Sequence, residues 1–343
     1  MSRGLGDVYK RQSMKLPKCQ DRLIEEVLKV QPNVVVVLHN GSPVELPWAD
    51  RVSAILEMYL GGQGVGEACD RLLFGEANPS GRLSETFPYR LEDNPSFLHF
   101  PGNGKRVLYG EDIFVGYRYY DTKKVPVRYA FGHGLSYTEF TYGDLTLSSA
   151  QMTDEDILTV SLKVKNSGKT EGKEVVQLYV ADLCGISERP VKELKGFAKV
   201  HLLPGEEKTV SMEISARNLS YYEERLGDWY APSGTYRILI GHASDDIRLH
   251  ADVVFETKKK LPLRVDFTTT FGELLDHTKT APVITELLAP LAAAAASAEG
   301  MSDEYKKLGE QVIREMPLKS LLGQMPGEQV EQLIGQLNCL LAQ

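Results

Sequence analysis

The sequence predicts a multidomain chain in which a partial α/β sandwich with a parallel sheet precedes an all-β sandwich and an α-helical tail. Changes in hydrophobic period support this order: strand-like and helix-like segments alternate at first, a period of two follows, and a helical period returns near the end. A chain of 343 residues is long enough for several domains, each with its own core. The predicted segments are a leader at 1–12, the α/β domain at 13–100, a linker at 101–140, the β domain at 141–257 and the tail at 258–343.

The α/β prediction rests on a helix and a strand near the start. Apolar side chains between Leu23 and Leu28 share one helical face, and Pro32 ends that helix. The apolar run at 33–38 is typical of a strand that is buried on both faces of a parallel sheet. Further segments are then predicted: a helix on Val52, Ile55, Leu56 and Tyr59, a second helix after Gly61–Gly64, and a short strand at Arg82–Phe87. Only about two strands are visible, whereas an open sheet usually has ~4–6, so the domain is expected to be incomplete.

The β domain is predicted from about seven short strands separated by turns, a pattern typical of a Greek-key sandwich. The clearest strands are Thr159–Lys165, Glu174–Ala181, Lys192–His201, Thr209–Ile214, Tyr236–Gly241 and Arg248–Phe255. In the tail, Pro290, Pro317 and Pro326 are expected to divide a helical pattern into short helices.

Composition excludes several classes of function. A net charge of -8 argues against a nucleic-acid partner, because phosphate binding needs clustered Lys and Arg. The apolar run Leu287–Ala293 is too short to span a bilayer, so no membrane partner is predicted. The four cysteines lack the spacing of a metal site and favour a reducing compartment such as the cytoplasm. Residues 1–12 look like a non-native leader, so the compartment itself stays unknown.

Two segments are candidate sites, each with a structural alternative. His39 and Asn40 follow the first parallel strand, where the carboxyl ends of strands line ligand crevices. They could form the rim of a substrate pocket or a polar loop that caps backbone groups. Three carboxylates, Glu111, Asp112 and Asp121, stand among aromatic residues, which suits either a sugar site or a linker strapped across a domain seam.

Other motifs favour structural roles. GGQGVG at 61–66 lacks the Lys-Ser/Thr pair of a phosphate loop and predicts a tight turn. His133, between two glycines, is expected to be a turn residue rather than a general base. The alternating charges of Lys192–Lys195 are expected on a solvated strand face. No motif for a metal or another cofactor is present, so neither is predicted.

Two motifs within the linker carry a family resemblance. Tyr109–Asp121 reads YGEDIFVGYRYYD and Phe131–Phe140 reads FGHGLSYTEF. Together with VVVVLHNGSPVELPW (Val34–Trp48) and RPVKELKGFAKVHLLPGE (Arg189–Glu206), they resemble glycoside hydrolase family 3, the β-glucosidase-like enzymes. The resemblance implies that the α/β sandwich is followed by a fibronectin type III-like domain, and that the intact enzyme hydrolyses terminal β-linked glucosides with retention and without a cofactor.

The resemblance also implies which catalytic groups to look for. In the family, a nucleophilic Asp comes from an N-terminal barrel and an acid/base Glu from a segment just before the part matched by Leu16–Val27. Here that place reads GLGDVYKRQ, and Asp7 is not an acceptable substitute. Glu45, Asp50 and Glu111 match no catalytic position of the family. No catalytic residue is therefore assigned, and this chain alone is expected to be inactive.

A second hypothesis comes from a different class of function. The chain could be a non-catalytic module that supports folding, dimerisation or contact with carbohydrate, with the β domain as the candidate. The apolar helices of the tail make a homodimer possible. Exposed aromatic residues in a row on the β domain would favour carbohydrate contact, whereas an uncovered apolar patch would favour a scaffold role.

Overall fold

The computed structural model describes residues 13–102, 105–185, 188–296 and 303–342. The predicted leader at 1–12 lies outside these residues. The first predicted helix is present as α1, Lys18–Leu28, and the apolar run after it forms β1, Val35–Leu38. Next come β2, Ala54–Glu57, which pairs with β1 in parallel, and helix α2, Val65–Leu73. Buried residues between these elements form a small core of Leu38, Leu46, Trp48, Ala49 and Phe87.

Two secondary-structure predictions for this region were wrong. The predicted helix on Val52, Ile55, Leu56 and Tyr59 is instead β2, because pairing in register with β1 satisfies its backbone and places Ile55 opposite Val36. The predicted strand Arg82–Phe87 is reduced to β3, Phe87–Pro88, which pairs with β4, Val127–Tyr129. The start of that segment bonds elsewhere: the amide of Leu83 donates to the carbonyl of His133, and the amide of Gly132 donates to the carbonyl of Leu83.

Among the described residues of the predicted linker, one α-helix is present, α3, Tyr117–Lys123. All six strands predicted for the β domain are present, and a seventh long strand precedes them. The long strands are β5 Phe140–Leu147, β7 Ile157–Asn166, β8 Gly172–Asp182, β9 Glu193–Leu202, β10 Glu207–Ser215, β13 Gly234–Ala243 and β14 Asp246–Glu256. The short elements are β6 Gln151–Thr153, helix α4 Ala216–Leu219, β11 Tyr221–Glu223 and β12 Asp228–Tyr230.

The long strands form two sheets that share one core. The larger sheet has the order β6-β14-β13-β8-β9 and the smaller has the order β10-β7-β5. Alternate residues of both sheets, such as Val160 and Leu162 from β7 and Ile238 and Ile240 from β13, are buried in the same apolar cluster. This is the packing that the period-two pattern demands, since each strand turns one face inward.

In its described residues, the tail contains four α-helices around a separate core. They are α5 Phe271–Asp276, α6 Ala281–Ala296, α7 Asp303–Glu315 and α8 Gly327–Ala342, with the 3-10 helix Leu318–Gly323 before the last. Pro290 does not break the helical pattern as predicted but lies inside α6. Ile284, Leu287 and Leu288 pack in the tail core one turn before it, which stabilises the helix against the lost backbone bond.

The described chain divides into two compact units. One contains the α/β region together with the β domain, up to Tyr221 and again over Tyr230–Lys258. The other contains Tyr222–Trp229 and the chain from Lys259 onward. The candidate site described below lies wholly within the first unit.

Candidate functional site

A cleft of about 710 Å³ lies beside β2. Its walls are formed by residues 52–59, 78–83 and 133–135, and apolar side chains such as Leu46 and Phe87 also line it. Clefts that border the carboxyl ends of parallel strands, with a mainly apolar lining and a few polar groups, are common ligand sites. This cleft is therefore the strongest candidate site in the described part of the chain.

The two residues predicted as a pocket rim lie directly after β1. His39 is exposed, whereas Asn40 is half-buried. The Asn40 Nδ2 donates to the carbonyl of Ser42 at 2.7 Å, as expected for a polar loop that caps backbone groups. Its Oδ1, however, is buried without a hydrogen-bond partner among the described residues. Asn40 thus keeps one free acceptor at the carboxyl end of the strand.

Three further polar residues near this strand end were missed by the sequence analysis. Glu57 ends β2 and lies opposite Leu38. Burial raises the pKa of Glu57, and the Tyr59 amide, which donates to Glu57 Oε1 at 2.8 Å, and the nearby Asn40 side chain only partly oppose that rise. Burial also raises the pKa of Glu85 and, with help from the charges of Glu57 and Glu85, the pKa of Tyr59 to about 12. A raised pKa widens the pH range in which a carboxyl or a phenol keeps its proton, and in that form the group can both donate and accept hydrogen bonds.

Tyr59 is unusual in its backbone conformation and in the hydrogen bonding of its side chain. Its φ is +45°, a left-handed conformation that costs energy for a bulky residue and occurs disproportionately at functional sites. The Tyr59 hydroxyl and the Glu57 Oε2 are buried without a hydrogen-bond partner among the described residues. If the run AILE had been predicted as a strand, Glu57 and Tyr59 would have been recognised as candidates. Glu57 would then end a parallel strand beside β1, at the same edge of the sheet as His39.

The motif at Tyr109–Asp121 contacts the β domain. The Tyr117 hydroxyl accepts a hydrogen bond from the Leu194 amide at 2.8 Å, and Asp121 forms an ion pair with Lys192 at 2.8 Å. The Tyr117 ring stacks on Phe131, with centroids 4.7 Å apart. These contacts agree with a linker strapped across a domain seam rather than with a sugar site.

The segment Lys192–Lys195 is not on a solvated face, contrary to the prediction. Glu193 is 15% exposed and pairs with Arg118 at 3.0 Å, Arg189 at 3.2 Å and Lys195 at 3.3 Å. Burial lowers the pKa of Lys195. The prediction failed because α3 covers this end of β9, and alternating charge along a strand carries no information on what covers it.

Glu45, Asp50 and Glu111, which were not assigned as catalytic, lie outside the lining of the cleft. Glu45 Oε1 accepts from the Leu91 amide at 3.2 Å, and Asp50 pairs with Arg128 at 2.5 Å. Glu111 is half-buried and belongs to the motif Tyr109–Asp121, which contacts the β domain. None of these three residues lines the cleft beside β2.

The motif FGHGLSY forms the joint between the cleft and the β domain. Its His133 and Gly134 line the cleft, while Gly132 has a φ of +82° and contacts Gln177 of β8. Burial lowers the pKa of His133, and the ring stacks on Tyr129 with centroids 5.1 Å apart. A turn role for His133, as predicted, agrees with this placement.

We searched the described residues for a metal site and for a membrane-spanning helix. There, no group of three or more His, Cys, Asp or Glu side chains is arranged to hold a metal ion. The helices within the same residues are all too short or too polar to cross a bilayer.

Comparison with protein families gives two matches. Residues 2–137 match the glycosyl hydrolase family 3 C-terminal domain, and residues 174–244 match the fibronectin type III-like domain. The first match begins inside the segment that was predicted to be a leader.

Curated proteins and solved structures agree with these matches. The chain is 46% identical over 344 residues to thermostable beta-glucosidase B of Acetivibrio thermocellus, a match that covers 98% of this chain and 45% of that protein. It is 47% identical to a beta-glucosidase of Kluyveromyces marxianus over 70% of this chain and 28% of that protein. The crystal structure of a Bifidobacterium adolescentis GH3 beta-glucosidase superposes with a TM-score of 0.72 at 37% identity, over 80% of this chain and 40% of that one. The chain thus spans less than half the length of these relatives.

Proposed function

This chain belongs to glycoside hydrolase family 3, and we propose that it is the C-terminal portion of a retaining β-glucosidase that hydrolyses terminal β-linked glucosides. The observation that carries this proposal is the 46% identity to thermostable beta-glucosidase B, which extends over 98% of the chain and so includes the helical tail. A match confined to one domain would support only a shared module.

The cleft beside β2 supports a role in sugar contact. Glu57 and Tyr59 line it, whereas His39 and Asn40 lie outside its lining, at the adjacent end of β1, and are proposed as its rim. Asn40 Oδ1, Glu57 Oε2 and the Tyr59 hydroxyl are buried polar atoms without partners among the described residues. Such groups gain most from a ligand that supplies hydrogen bonds, since an unpaired buried polar atom costs about 1–3 kcal/mol. A polyhydroxylated sugar has several hydroxyls that could pair with them.

Retaining hydrolysis needs two carboxyl groups ~5–5.5 Å apart, one as nucleophile and one as acid/base. The family resemblance places the nucleophile in an N-terminal barrel and the acid/base in the segment just before Leu16, where this chain reads GLGDVYKRQ. Glu45 and Asp50 are held by Leu91 and Arg128 and are unsuited to either role. The chain by itself is therefore proposed to be inactive.

A chimera tests this proposal. The upstream part of thermostable beta-glucosidase B, extended through its counterpart of the segment before Leu16, replaces residues 1–15 of this chain. Hydrolysis of p-nitrophenyl β-glucoside is then measured for the chimera and for the chain alone, with p-nitrophenyl α-glucoside as the control substrate. The expected result is turnover of the β-glucoside by the chimera only.

Variants of the rim test the cleft in the same chimera. Asn40→Ala is expected to raise KM with little change in kcat, as for a group that binds substrate and transition state equally. Ser42→Ala is the matched control, because only the Ser42 carbonyl bonds to Asn40. Turnover by the chain alone would refute the assignment of the chemistry to residues outside it, and Glu57 and Glu85 would then be replaced first.

A non-catalytic scaffold role is the second candidate. Large apolar side chains between residues 97 and 115 are exposed, including Leu98 at 85%, Tyr109 at 78% and Leu108 at 63%. Exposed apolar patches of this kind mark surfaces that bind another protein segment. This role would be favoured if the chimera folds without turnover while the amides of residues 97–115 exchange more slowly in the chimera than in the chain alone.

A further inference from the structure

A buried ion cluster connects the cleft wall to the β domain. Glu174 of β8 is fully buried, and Arg82 from the cleft wall has a side chain only 7% exposed. The Arg82 Nη2 lies 2.7 Å from Glu174 Oε2, and its Nη1 donates to the carbonyl of Gly134 at 2.5 Å. The Tyr142 hydroxyl donates to Glu174 Oε1 at 2.7 Å. Two regions that are far apart in sequence are thus joined through one carboxylate.

His242 lies between two hydrogen-bond acceptors. Its Nδ1 lies 2.8 Å from Glu174 Oε1 and its Nε2 lies 2.9 Å from the carbonyl of Gly134. Both neighbours are acceptors, so both contacts are attractive only when each ring nitrogen bears a proton. Arg82 Nη2 also lies near Nδ1, but at 3.4 Å it is farther away than Glu174 Oε1. The carboxylate is therefore the main hydrogen-bond partner of Nδ1.

The carboxyl group does not carry the proton instead. Burial alone would raise the pKa of Glu174, but the hydrogen bond from His242 and the charge of Arg82 outweigh burial and hold it below its ordinary value. Glu174 therefore stays ionised and faces three donors, Arg82, Tyr142 and His242.

We propose that Glu174 is a positioning residue for the cleft, acting through Arg82, and that a doubly protonated His242 completes this joint, so that raising the pH loosens the cleft wall. When His242 loses a proton, one of its nitrogens becomes an acceptor that faces another acceptor. The contact with Glu174 or with Gly134 then becomes repulsive, and Gly134 also holds Arg82. The inference does not depend on the reaction that the intact enzyme catalyses.

The other ionisable groups near His242 do not replace it as the switch. Burial lowers the pKa of His133, so this ring loses its proton at a lower pH than an ordinary imidazole does. Asp245 and Asp246 are the nearby anions, and Asp246 is paired with Arg248 at 2.6 Å. The hydrogen bond from Arg248 lowers the pKa of Asp246, so this carboxyl stays ionised where an imidazole titrates.

The cleft wall contains its own internal control. Asn78, at the start of the 78–83 segment, donates to the carbonyl of Glu171 at 2.9 Å and accepts from the Ser136 hydroxyl and the Tyr137 amide. None of these contacts involves a group that titrates near neutrality. Loosening should therefore affect residues 81–85 and leave the attachment at Asn78 intact.

Hydrogen exchange of the full chain tests the proposal. Exchange in peptides covering 78–88 is measured between about pH 5.5 and 8.5 and divided by the intrinsic rate at each pH. In the wild type, protection at 81–85 is expected to fall about tenfold as the pH rises, the size expected for one lost charged hydrogen bond. Selective 15N labelling of histidine in the same protein should show two protonated nitrogens for His242 at low pH.

Variants separate the joint from general destabilisation. His242→Gln should be loose at all pH values, without the step, whereas His250→Gln, on the exposed face of β14, should keep it. Glu174→Gln should lower protection at 81–85 on the order of 100-fold, whereas the exposed Glu171→Gln should not. A flat protection profile in the wild type, or a neutral His242 ring at pH 5.5, would overturn the proposal even if the buried variants fail to fold.

Discussion

Substitution of Gly132 by alanine should destabilise the β domain strongly. The φ of +82° is a left-handed conformation that suits glycine. An added Cβ would lie 2.1 Å from Oε1 and 2.7 Å from Nε2 of Gln177. Gln177 cannot simply swing away, because it is 3% exposed and donates to the carbonyls of Gly132 and His242 while it accepts from the Tyr179 hydroxyl.

The cost follows from two terms. Holding alanine in a left-handed conformation costs about 1–2 kcal/mol. Displacing Gln177 leaves at least one buried polar group unpaired, which costs about 1–3 kcal/mol. The sum is about 3 kcal/mol, a large part of the roughly 5–15 kcal/mol that stabilises a typical domain. Gly81→Ala is the matched control, since Gly81 has an ordinary φ and open space around its Cβ position.

Native-state hydrogen exchange of β8 and β13 is the suitable assay, because a chain with two compact units need not unfold in one step. A loss of about 3 kcal/mol corresponds to roughly 100-fold faster exchange. Gly81→Ala should leave these rates within about threefold of the wild type. A second variant isolates the clash: Gln177→Ala should cost less in the Gly132→Ala background than in the wild type. Wild-type exchange in Gly132→Ala, or fully additive effects in the pair, would refute this reasoning.

Two further predictions concern single side chains. Since burial raises the pKa of Glu57, its ionisation opposes folding above the unfolded-state pKa near 4.5 and not below it. Glu57→Gln should therefore raise Tm by about 2 °C at pH 7.5 and leave it unchanged at pH 4, whereas the exposed Glu92→Gln should show no such pH dependence in a scanning fluorimetry series. In the tail, Asn338 accepts from the amide of Val265 at 2.9 Å and donates to its carbonyl at 2.8 Å, so Asn338→Ala should cost about 1–3 kcal/mol. Urea unfolding of the tail should detect this loss, and an equal loss in the exposed Gln336→Ala would contradict the assignment to that bond pair.

The strands of the β domain were predictable because their signal is local. Residues such as Leu158, Val160 and Leu162 alternate with polar ones, and a strand has only two faces, so the pattern itself selects the inward face. Helix α1 was predictable for the same reason, at a period of 3.6. The family resemblance was local as well, since its motifs are contiguous runs, and the matched C-terminal and fibronectin type III-like domains confirm it.

The predictions that failed concern segments whose state depends on a partner. The apolar spacing of Val52–Tyr59 fits a helix, but the neighbouring β1 supplies an edge and turns residues 54–57 into a strand. The alternating charges of Lys192–Lys195 are typical of a solvated strand, but α3 packs against this segment. In both cases the deciding contact comes from an element elsewhere in the chain, and a local period cannot report it.

The sequence by itself determined the order of the domains, the family and the glycines of the joint, since each of these is written in contiguous residues. Only the tertiary structure decided the site. Glu57, Tyr59 and Asn40 meet at the ends of two strands, and Arg82, Glu174 and His242 meet across sequence separations of 92 and 68 residues. Their protonation depends on burial and on the charge of the neighbouring side chains, and both are set by packing rather than by sequence neighbours.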